Sequence, residues 1–145
     1  LLEYFKNEEA TQGAFNEDGY FLTGDLGVED EEGFFFITGR KKELIIKGGE
    51  NISPREIDDT LYKHNAVLEA CTFGIEDDNY GEEISACVYL KDDLVANEEE
   101  LLDLCKADLG EYKTPRQIIF VDKPLPKGPS GKIQRLKIAS QYSSA

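Results

Sequence analysis

The sequence of 145 residues contains no methionine, no tryptophan and a single histidine, His64. One histidine leaves too few partners for a Ser-His-Asp or Cys-His catalytic set, or for a cluster of metal ligands. His64 lies at the end of a predicted helix, where it can interact with terminal carbonyl groups. We therefore assign it a structural role.

Long apolar runs are also missing. The absence of any stretch of 18 or more apolar residues excludes a membrane-spanning helix, and no signal-peptide pattern is found. Because the chain also lacks an initiating methionine, we expect a soluble piece of a longer protein. Its length allows one ordinary domain, and a hydrophobic content of 40% is enough for a core.

Cysteine is scarce and odd in number. Cys71, Cys87 and Cys105 have spacings that fit neither a metal-binding motif nor a disulfide framework. All three fall in strand-like or helix-like apolar patterns, so we predict buried thiols in a reducing compartment, the cytoplasm.

Positive charge is sparse and unevenly distributed. The net charge of -14 argues against nucleic acid or an anionic membrane as a main partner. Nine of the 16 basic residues lie in segments 40–47 and 123–137, which contain only one acidic residue, Glu43. Two basic segments on an acidic body suit a small anionic ligand such as a nucleotide, and the alternative is a set of solvated lysines on loops.

The hydrophobic pattern predicts mixed strands and helices. We expect an α+β fold with a mostly antiparallel sheet covered by helices, preceded by a β-hairpin. The hairpin should expose apolar surface, because three consecutive phenylalanines need cover on both faces. The predicted strands cover residues 20–23, 33–38, 67–75 (a central strand), 84–90 and 117–121. Ser53 and Asn97 are the predicted N-caps of the first two helices of the α+β fold, and the last helix is predicted to begin at Ile133.

Segment 39–57 combines a basic cluster, a short hairpin and a helix start. Gly48 and Gly49 suit a tight turn because glycine tolerates positive φ. Ser53, Pro54 and Glu56 fit the N-cap, first and third positions of a helix with a capping box.

Three segments, in order, resemble signatures of the adenylate-forming superfamily of acyl-CoA synthetases, non-ribosomal peptide adenylation domains and luciferases. Residues 20–25, with Thr-Gly-Asp at their end, are similar to its aromatic-x-x-Thr-Gly-Asp segment. Residues 39–54 resemble its hinge and following loop, and residues 126–133 resemble its C-terminal lysine loop. The chain is most like the C-terminal domain of an acyl-CoA synthetase.

The resemblance implies a two-step reaction. A carboxylic acid and ATP would give acyl-AMP and pyrophosphate, and the acyl group would then pass to coenzyme A. ATP and Mg²⁺ would be bound mainly by a large N-terminal domain, which would also hold the acid pocket and be this chain's partner. Residues 1–41 would be the tail of that domain and residues 42–145 the mobile C-terminal domain, with Lys42 at the hinge.

The resemblance also implies roles for single residues. Lys132 would be catalytic and stabilise negative charge during adenylation, and Asp25 and Arg40 would bind the nucleotide. Gly48 and Gly49, of which Gly49 is the closer match, would leave room for the pantetheine thiol. Lys47, beside this turn, could meet phosphates.

Each of these residues also has a plainer interpretation. Lys132 can be a surface lysine beside a helix start, Asp25 a turn former and Arg40 an exposed arginine. The two glycines can simply form a hairpin turn.

The function also has alternatives. One replaces coenzyme A with the phosphopantetheine thiol of a carrier protein, and another is a non-catalytic nucleotide- or partner-binding module. We expect the fragment to fold alone and to be inactive in adenylation.

Overall fold

The computed structural model describes residue 5 and residues 7–143, and the chain divides into two compact units, Leu1–Lys42 and Glu43–Ala145. The first unit contains a short helix, α1 (Glu8–Gly13), whose N-cap Asn7 accepts a hydrogen bond from the backbone of Ala10. Two antiparallel strands follow, β1 (Asp25–Glu29) and β2 (Phe35–Arg40).

The predicted hairpin is present, but its first strand was placed wrongly at residues 20–23. The Asp30 carboxylate accepts hydrogen bonds from the backbone of Glu32 and Phe34, and Gly33 has a φ of +86°. This turn pairs β2 with the residues directly before Asp30, which form β1. Residues 20–23 form no strand, and Phe21 makes an isolated bridge with Phe15.

The hairpin exposes apolar side chains, as predicted. Large parts of the surfaces of five residues are open: Val28 (55%), Phe34 (62%), Phe35 (76%), Phe36 (54%) and Ile37 (60%).

The second unit is an α+β sandwich, which confirms the predicted fold class. A 3₁₀ helix, Lys41–Glu43, crosses the boundary between the units. The strands are β3 (Ile45–Lys47), β4 (Glu50–Ile52), β5 (Val67–Asp77), β6 (Gly81–Leu90) and β7 (Gln117–Val121). The helices are α2 (Pro54–Leu61), α3 (Glu98–Leu109) and α4 (Arg135–Ser143).

Strand β6, not β5, is central in the sheet. It pairs antiparallel with β5 along its length, parallel with β7, and antiparallel with β3 where Lys47 faces Gly81. The prediction that β5 is central was wrong. Its mixed apolar content comes from helices on both faces, α2 and α4, while its ladder partner is β6.

Two apolar clusters cover the two faces of the sheet. Alternation along β5 sends Ala70 into one cluster and Cys71 into the other. The first cluster joins the sheet to α2 and α3 through Ile57, Leu61, Leu101 and Cys105. The second joins it to α4 through Ile138 and to the preceding loop through Leu125.

All three cysteines are buried free thiols, as predicted. Cys71 and Cys87 face each other across β5 and β6, and Cys105 lies on α3. Burial raises the pKa of Cys71 to about 12 and that of Cys105 to about 11. Neither thiol is therefore a thiolate nucleophile near neutral pH.

The helix ends agree only partly with the predicted caps. Asn97 and Glu100 form a reciprocal capping box on α3. Helix α2 begins at Pro54 as predicted, but Ser53 makes no side-chain capping hydrogen bond, and the Glu56 carboxylate instead binds Lys113 Nζ at 3.0 Å.

Candidate functional site

The two residues predicted to bind the nucleotide lie side by side in the first unit. Asp25 and Arg40 are opposite each other in the β1–β2 register, and Arg40 Nε lies 2.8 Å from Asp25 Oδ1. The Thr23 hydroxyl accepts a hydrogen bond from the Asp25 backbone, which fixes the backbone at the strand start. The Arg40 side chain is 57% exposed and that of Asp25 28% exposed, so the pair is open to a ligand.

The predicted hinge residue Lys42 is exposed in the middle of the 3₁₀ helix Lys41–Glu43. Its neighbour Lys41 donates a backbone hydrogen bond to Gly24 in the first unit. Short 3₁₀ segments have weaker backbone hydrogen bonds than α-helices.

Gly48 and Gly49 form the two-residue turn between β3 and β4, as predicted. Their φ angles of +56° and +86° require glycine-like freedom at both positions. A Cβ on Gly48 would lie 2.6 Å from Tyr112 Oη, whereas a Cβ on Gly49 would meet no atom within 4 Å. Gly48 is thus closely packed, and Gly49 borders open space.

Lys47, expected beside phosphates, is buried instead. It is 7% exposed, and its Nζ lies 2.7 Å from Glu83 Oε1 and donates to the Tyr112 carbonyl at 3.1 Å. The Glu83 carboxylate neutralises this enclosed ammonium. This corrects the suggestion that Lys47 meets a ligand.

Lys132 lies in a loop closed by backbone hydrogen bonds. Lys127 and Ile133 form an antiparallel bridge, and the Gly128 N–H donates to the Lys132 carbonyl at 2.9 Å. The Lys132 side chain is exposed and has no ion pair within residues 7–143. Its ammonium is available to an external anion.

The predicted helix start at Ile133 is wrong, because α4 begins at Arg135. The Gln134 N–H donates to the Pro126 carbonyl and Gly131 has a φ of +79°, so residues 126–134 close on themselves before the helix begins. Lys132 therefore stands in this loop and not at a helix N-terminus.

Arg135 anchors the residues that follow the lysine loop. Its Nη1 lies 2.7 Å from Asp58 Oδ2 and 2.8 Å from the Thr72 carbonyl, and its Nε lies 3.2 Å from Glu43 Oε2. The guanidinium thus joins α4 to α2, to β5 and to the residue after Lys42. No local pattern in the sequence identified this network.

In the two basic segments, fewer side chains are available to bind an anionic ligand than the composition suggested. Besides Lys47 and Arg135, Lys127 is paired, with Glu69 at 2.9 Å, and Arg40 is paired with Asp25. The exposed basic residues of these segments without an ion pair to another described residue are Lys41, Lys42, Lys123, Lys132 and Lys137.

The structure pairs Asp25 with Arg40 but attaches the other predicted residues to different partners. The Gly48–Gly49 turn contacts Tyr80 and Tyr112. The Lys132 loop is closed by its own backbone and by Lys127 binding Glu69. The turn and the lysine loop are therefore separate features of the second unit.

The possible metal-ligating side chains and the helices of the described residues, 5 and 7–143, bear on the class of site. No group of three or more His, Cys, Asp or Glu side chains there is arranged to hold a metal ion. No helix in the same part of the chain is long and apolar enough to cross a membrane.

Similarity to known proteins extends over nearly the whole chain. The profile of the AMP-binding enzyme C-terminal domain family matches residues 56–132. The chain is 50% identical over 138 residues to a sulfoacetate–CoA ligase of Cupriavidus necator, covering 95% of this chain and 27% of that protein. It is 47% identical over 135 residues to the putative acyl-CoA synthetase YngI of Bacillus subtilis, covering 93% of this chain and 24% of that protein.

Solved structures agree with these relatives. The ATP-bound MatB of Rhodopseudomonas palustris superposes with a TM-score of 0.89 at 34% identity, covering 97% of this chain and 28% of that chain. The chain spans about a quarter of the length of the curated relatives it matches.

Proposed function

The chain belongs to the AMP-binding enzyme C-terminal domain family, and from this premise we propose that it is the C-terminal part of an ATP-dependent acyl-CoA synthetase. In the first step a carboxylate oxygen attacks the α-phosphorus of ATP, and pyrophosphate leaves. In the second step the thiol of coenzyme A attacks the acyl carbonyl carbon, and AMP leaves. The similarity to two proteins named as CoA ligase or acyl-CoA synthetase supports this reaction class.

Lys132 is the catalytic residue of the proposed first step, and the observation that carries the proposal is its exposed ammonium, which makes no ion pair with another described residue. As the carboxylate attacks, negative charge builds on the oxygens around the α-phosphorus. A cation placed there by a loop of fixed backbone stabilises the transition state without losing an existing salt bridge. In the same basic segment, Arg135 and Lys127 are already neutralised by carboxylates.

Asp25 and Arg40 bind the nucleotide in this proposal. A carboxylate suits a ribose diol because it offers only acceptors to two hydroxyl donors. Arg40 binds one carboxylate oxygen, Oδ1, and holds the group in place while the second oxygen faces the diol. Residues 1–41 then belong to the large domain and residues 42–145 to the mobile domain, with Lys42 as the hinge.

The Gly48–Gly49 turn serves the second step. The open space beside Gly49 leaves room for the narrow pantetheine arm to bring its thiol to the acyl carbonyl. Because the turn and the Lys132 loop are separate, rotation about Lys42 would bring each to the substrate in turn.

Mg²⁺ is required by the ATP chemistry but does not fit the residues that the structure describes. The described residues hold no suitable cluster of ligands, so we assign the ion to the nucleotide phosphates and to the part of the enzyme outside this chain. No step proposed for these residues passes through it.

The first test uses the full-length parent enzyme and acid-dependent exchange between ATP and pyrophosphate. A panel of short- and medium-chain carboxylic acids with sulfoacetate would first identify an active acid. We expect Lys132→Ala to lower exchange about 100-fold or more, because one charge-stabilising donor is lost. The matched control is Lys137→Ala, which removes an exposed lysine from α4 and should leave exchange unchanged.

Equal exchange by Lys132→Ala and wild type would overturn the assignment of Lys132. The acceptor is tested separately, by offering the same parent coenzyme A or a phosphopantetheine-bearing carrier protein. We expect acyl transfer to coenzyme A, and transfer only to the carrier protein would replace the proposed function by carrier loading. The 145-residue chain alone should release no pyrophosphate.

A further inference from the structure

Lys47 is a buried cation directly beside the glycine turn. It is the last residue of β3, and its side chain is 8% exposed. The carboxylate that neutralises it, Glu83 on β6, is equally enclosed at 9%. Glu83 Oε1 also accepts a hydrogen bond from the Ile84 backbone at 2.9 Å, so one carboxylate oxygen binds both groups.

Stability alone does not explain why the buried Lys47–Glu83 ion pair is present. Removing two charges from water is expensive, and a buried ion pair often stabilises a fold no better than apolar residues of the same volume would. What a pair of this kind can supply is a unique local geometry. The groups around Lys47 indicate which geometry is set.

Two tyrosine rings enclose the ammonium. Lys47 Nζ lies 5.3 Å from the centroid of the Tyr80 ring and 4.8 Å from that of Tyr112. The rings meet edge to face, with centroids 6.5 Å apart and planes at 83°. Both distances are within the range of cation–π attraction, so the ammonium and the two rings fix each other's positions.

The same tyrosines bind the backbone of the turn. Tyr112 Oη donates to the Lys47 carbonyl at 2.6 Å, and the Gly48 N–H donates to the Tyr80 carbonyl at 2.8 Å. These two bonds fix the single peptide group that joins Lys47 to Gly48, one through its carbonyl and the other through its N–H. The rest of the turn, at Gly49, borders open space.

We propose that Lys47, Glu83, Tyr80 and Tyr112 are positioning residues for the thiol-transfer step, because together they fix the turn that admits the pantetheine arm. This role rests on the proposed function. These residues act through the Lys47–Gly48 peptide group, which the Tyr112 hydroxyl and the Tyr80 carbonyl bind, and they do not touch the reacting atoms. They hold one side of the turn rigid, so that the open side at Gly49 keeps its shape when the thiol enters.

The test compares Tyr112→Phe with Tyr62→Phe in the full-length parent. Tyr112→Phe keeps the ring and removes the hydroxyl that binds the turn. Tyr62 is a matched control: it is 43% exposed against 38% for Tyr112, and its hydroxyl also binds backbone, at Ala70 on β5. Each variant is assayed for ATP–pyrophosphate exchange, for acyl transfer from preformed acyl-AMP to coenzyme A, and for thermal unfolding.

We expect Tyr112→Phe to slow acyl transfer about tenfold and to leave exchange unchanged, because a displaced turn affects only the second step. Tyr62→Phe should leave both rates unchanged. The double variant Lys47→Met with Glu83→Gln, which removes both charges at similar volume, should show the same selective loss as Tyr112→Phe.

Several results would overturn the role of these residues in an active parent. They are unchanged transfer by Tyr112→Phe, an equal loss of transfer by Tyr62→Phe, or a parallel loss of exchange and transfer. Absence of acyl transfer by the wild-type parent would instead overturn the proposed function, and this role with it.

Discussion

The glycine turn and the lysine loop make an instructive pair, since each places a lysine next to glycine at the base of a short turn. Lys47 precedes Gly48 and is buried against Glu83, while Lys132 follows Gly131 and is exposed without an ion pair to another described residue. The nearby sequence does not distinguish these environments. The difference is set by a carboxylate 36 positions away, which the pairing of β3 with β6 brings to Lys47.

A lysine next to glycines cannot be identified as a ligand-binding residue from the local sequence alone. Acidic side chains that are distant in sequence decide whether its charge is neutralised in the folded protein. In the turn, the charge is used internally to fix backbone. In the loop, backbone hydrogen bonds fix the structure and the charge stays available. Three predictions probe this contrast.

The largest effect should come from replacing each lysine with methionine. Lys47→Met leaves Glu83 buried without its cation, so the free energy of unfolding should fall by about 3–5 kcal/mol. Lys132→Met alters an exposed side chain and should change it by no more than about 0.5 kcal/mol. Urea unfolding of the 145-residue chain measures both, and similar losses for the two variants would contradict the assigned environments.

A smaller contrast should appear within the turn itself. Both glycines have positive φ, so either alanine variant should lose about 1–2 kcal/mol of unfolding free energy. Gly48→Ala also places a Cβ 2.6 Å from Tyr112 Oη, and this clash should raise its loss to about 2–4 kcal/mol. Thermal unfolding of both variants checks the order, and an equal or greater loss for Gly49→Ala would show that Tyr112 does not restrain the turn.

The smallest effect concerns how stability depends on pH through Asp77, whose carboxylate binds the Tyr80 backbone. Backbone hydrogen bonds from Tyr80 and Asn79 lower the pKa of Asp77 below its usual value, with Arg116 adding to the effect. Because the folded-state pKa is the lower one, ionised Asp77 contributes stability that is complete above about pH 5 and is lost as the pH falls through the lowered pKa.

Asp77→Asn keeps an acceptor for the same N–H groups and removes the charge, which makes it a suitable variant for this test. The difference in unfolding free energy between wild type and Asp77→Asn should be constant near neutral pH and shrink at acidic pH. Urea unfolding at a series of pH values measures it. A difference that grows on acidification would show that the pKa is raised.

Local patterns predicted most of the fold. Strand β7 was predicted with its observed bounds, and alternation along residues 84–90 identified most of β6. The N-cap of α3 was predicted at Asn97 because asparagine favours that position, and the Gly48–Gly49 turn because positive φ selects glycine. These features depend on neighbours within a few residues.

Features that depend on distant partners were missed. The order of strands in the sheet, which puts β6 and not β5 at its centre, follows from pairings that periodicity does not specify. The same holds for the acids beside Lys47 and Arg135, because Glu83 and Asp58 are ordinary members of a strand and a helix until the chain is folded. The roles of Lys132, Asp25, Arg40 and the glycines came from resemblance and remain predictions.

The contacts of the Arg135 guanidinium determine when the second unit can finish folding during translation. It joins Glu43 across 92 residues of sequence and Asp58 across 77, so the start of the second unit is bonded to its last helix. During translation the first strands leave the ribosome long before Arg135 is synthesised, and Asp58 then has no cation to bind. The second unit can therefore complete its folding only after its C-terminal helix has emerged.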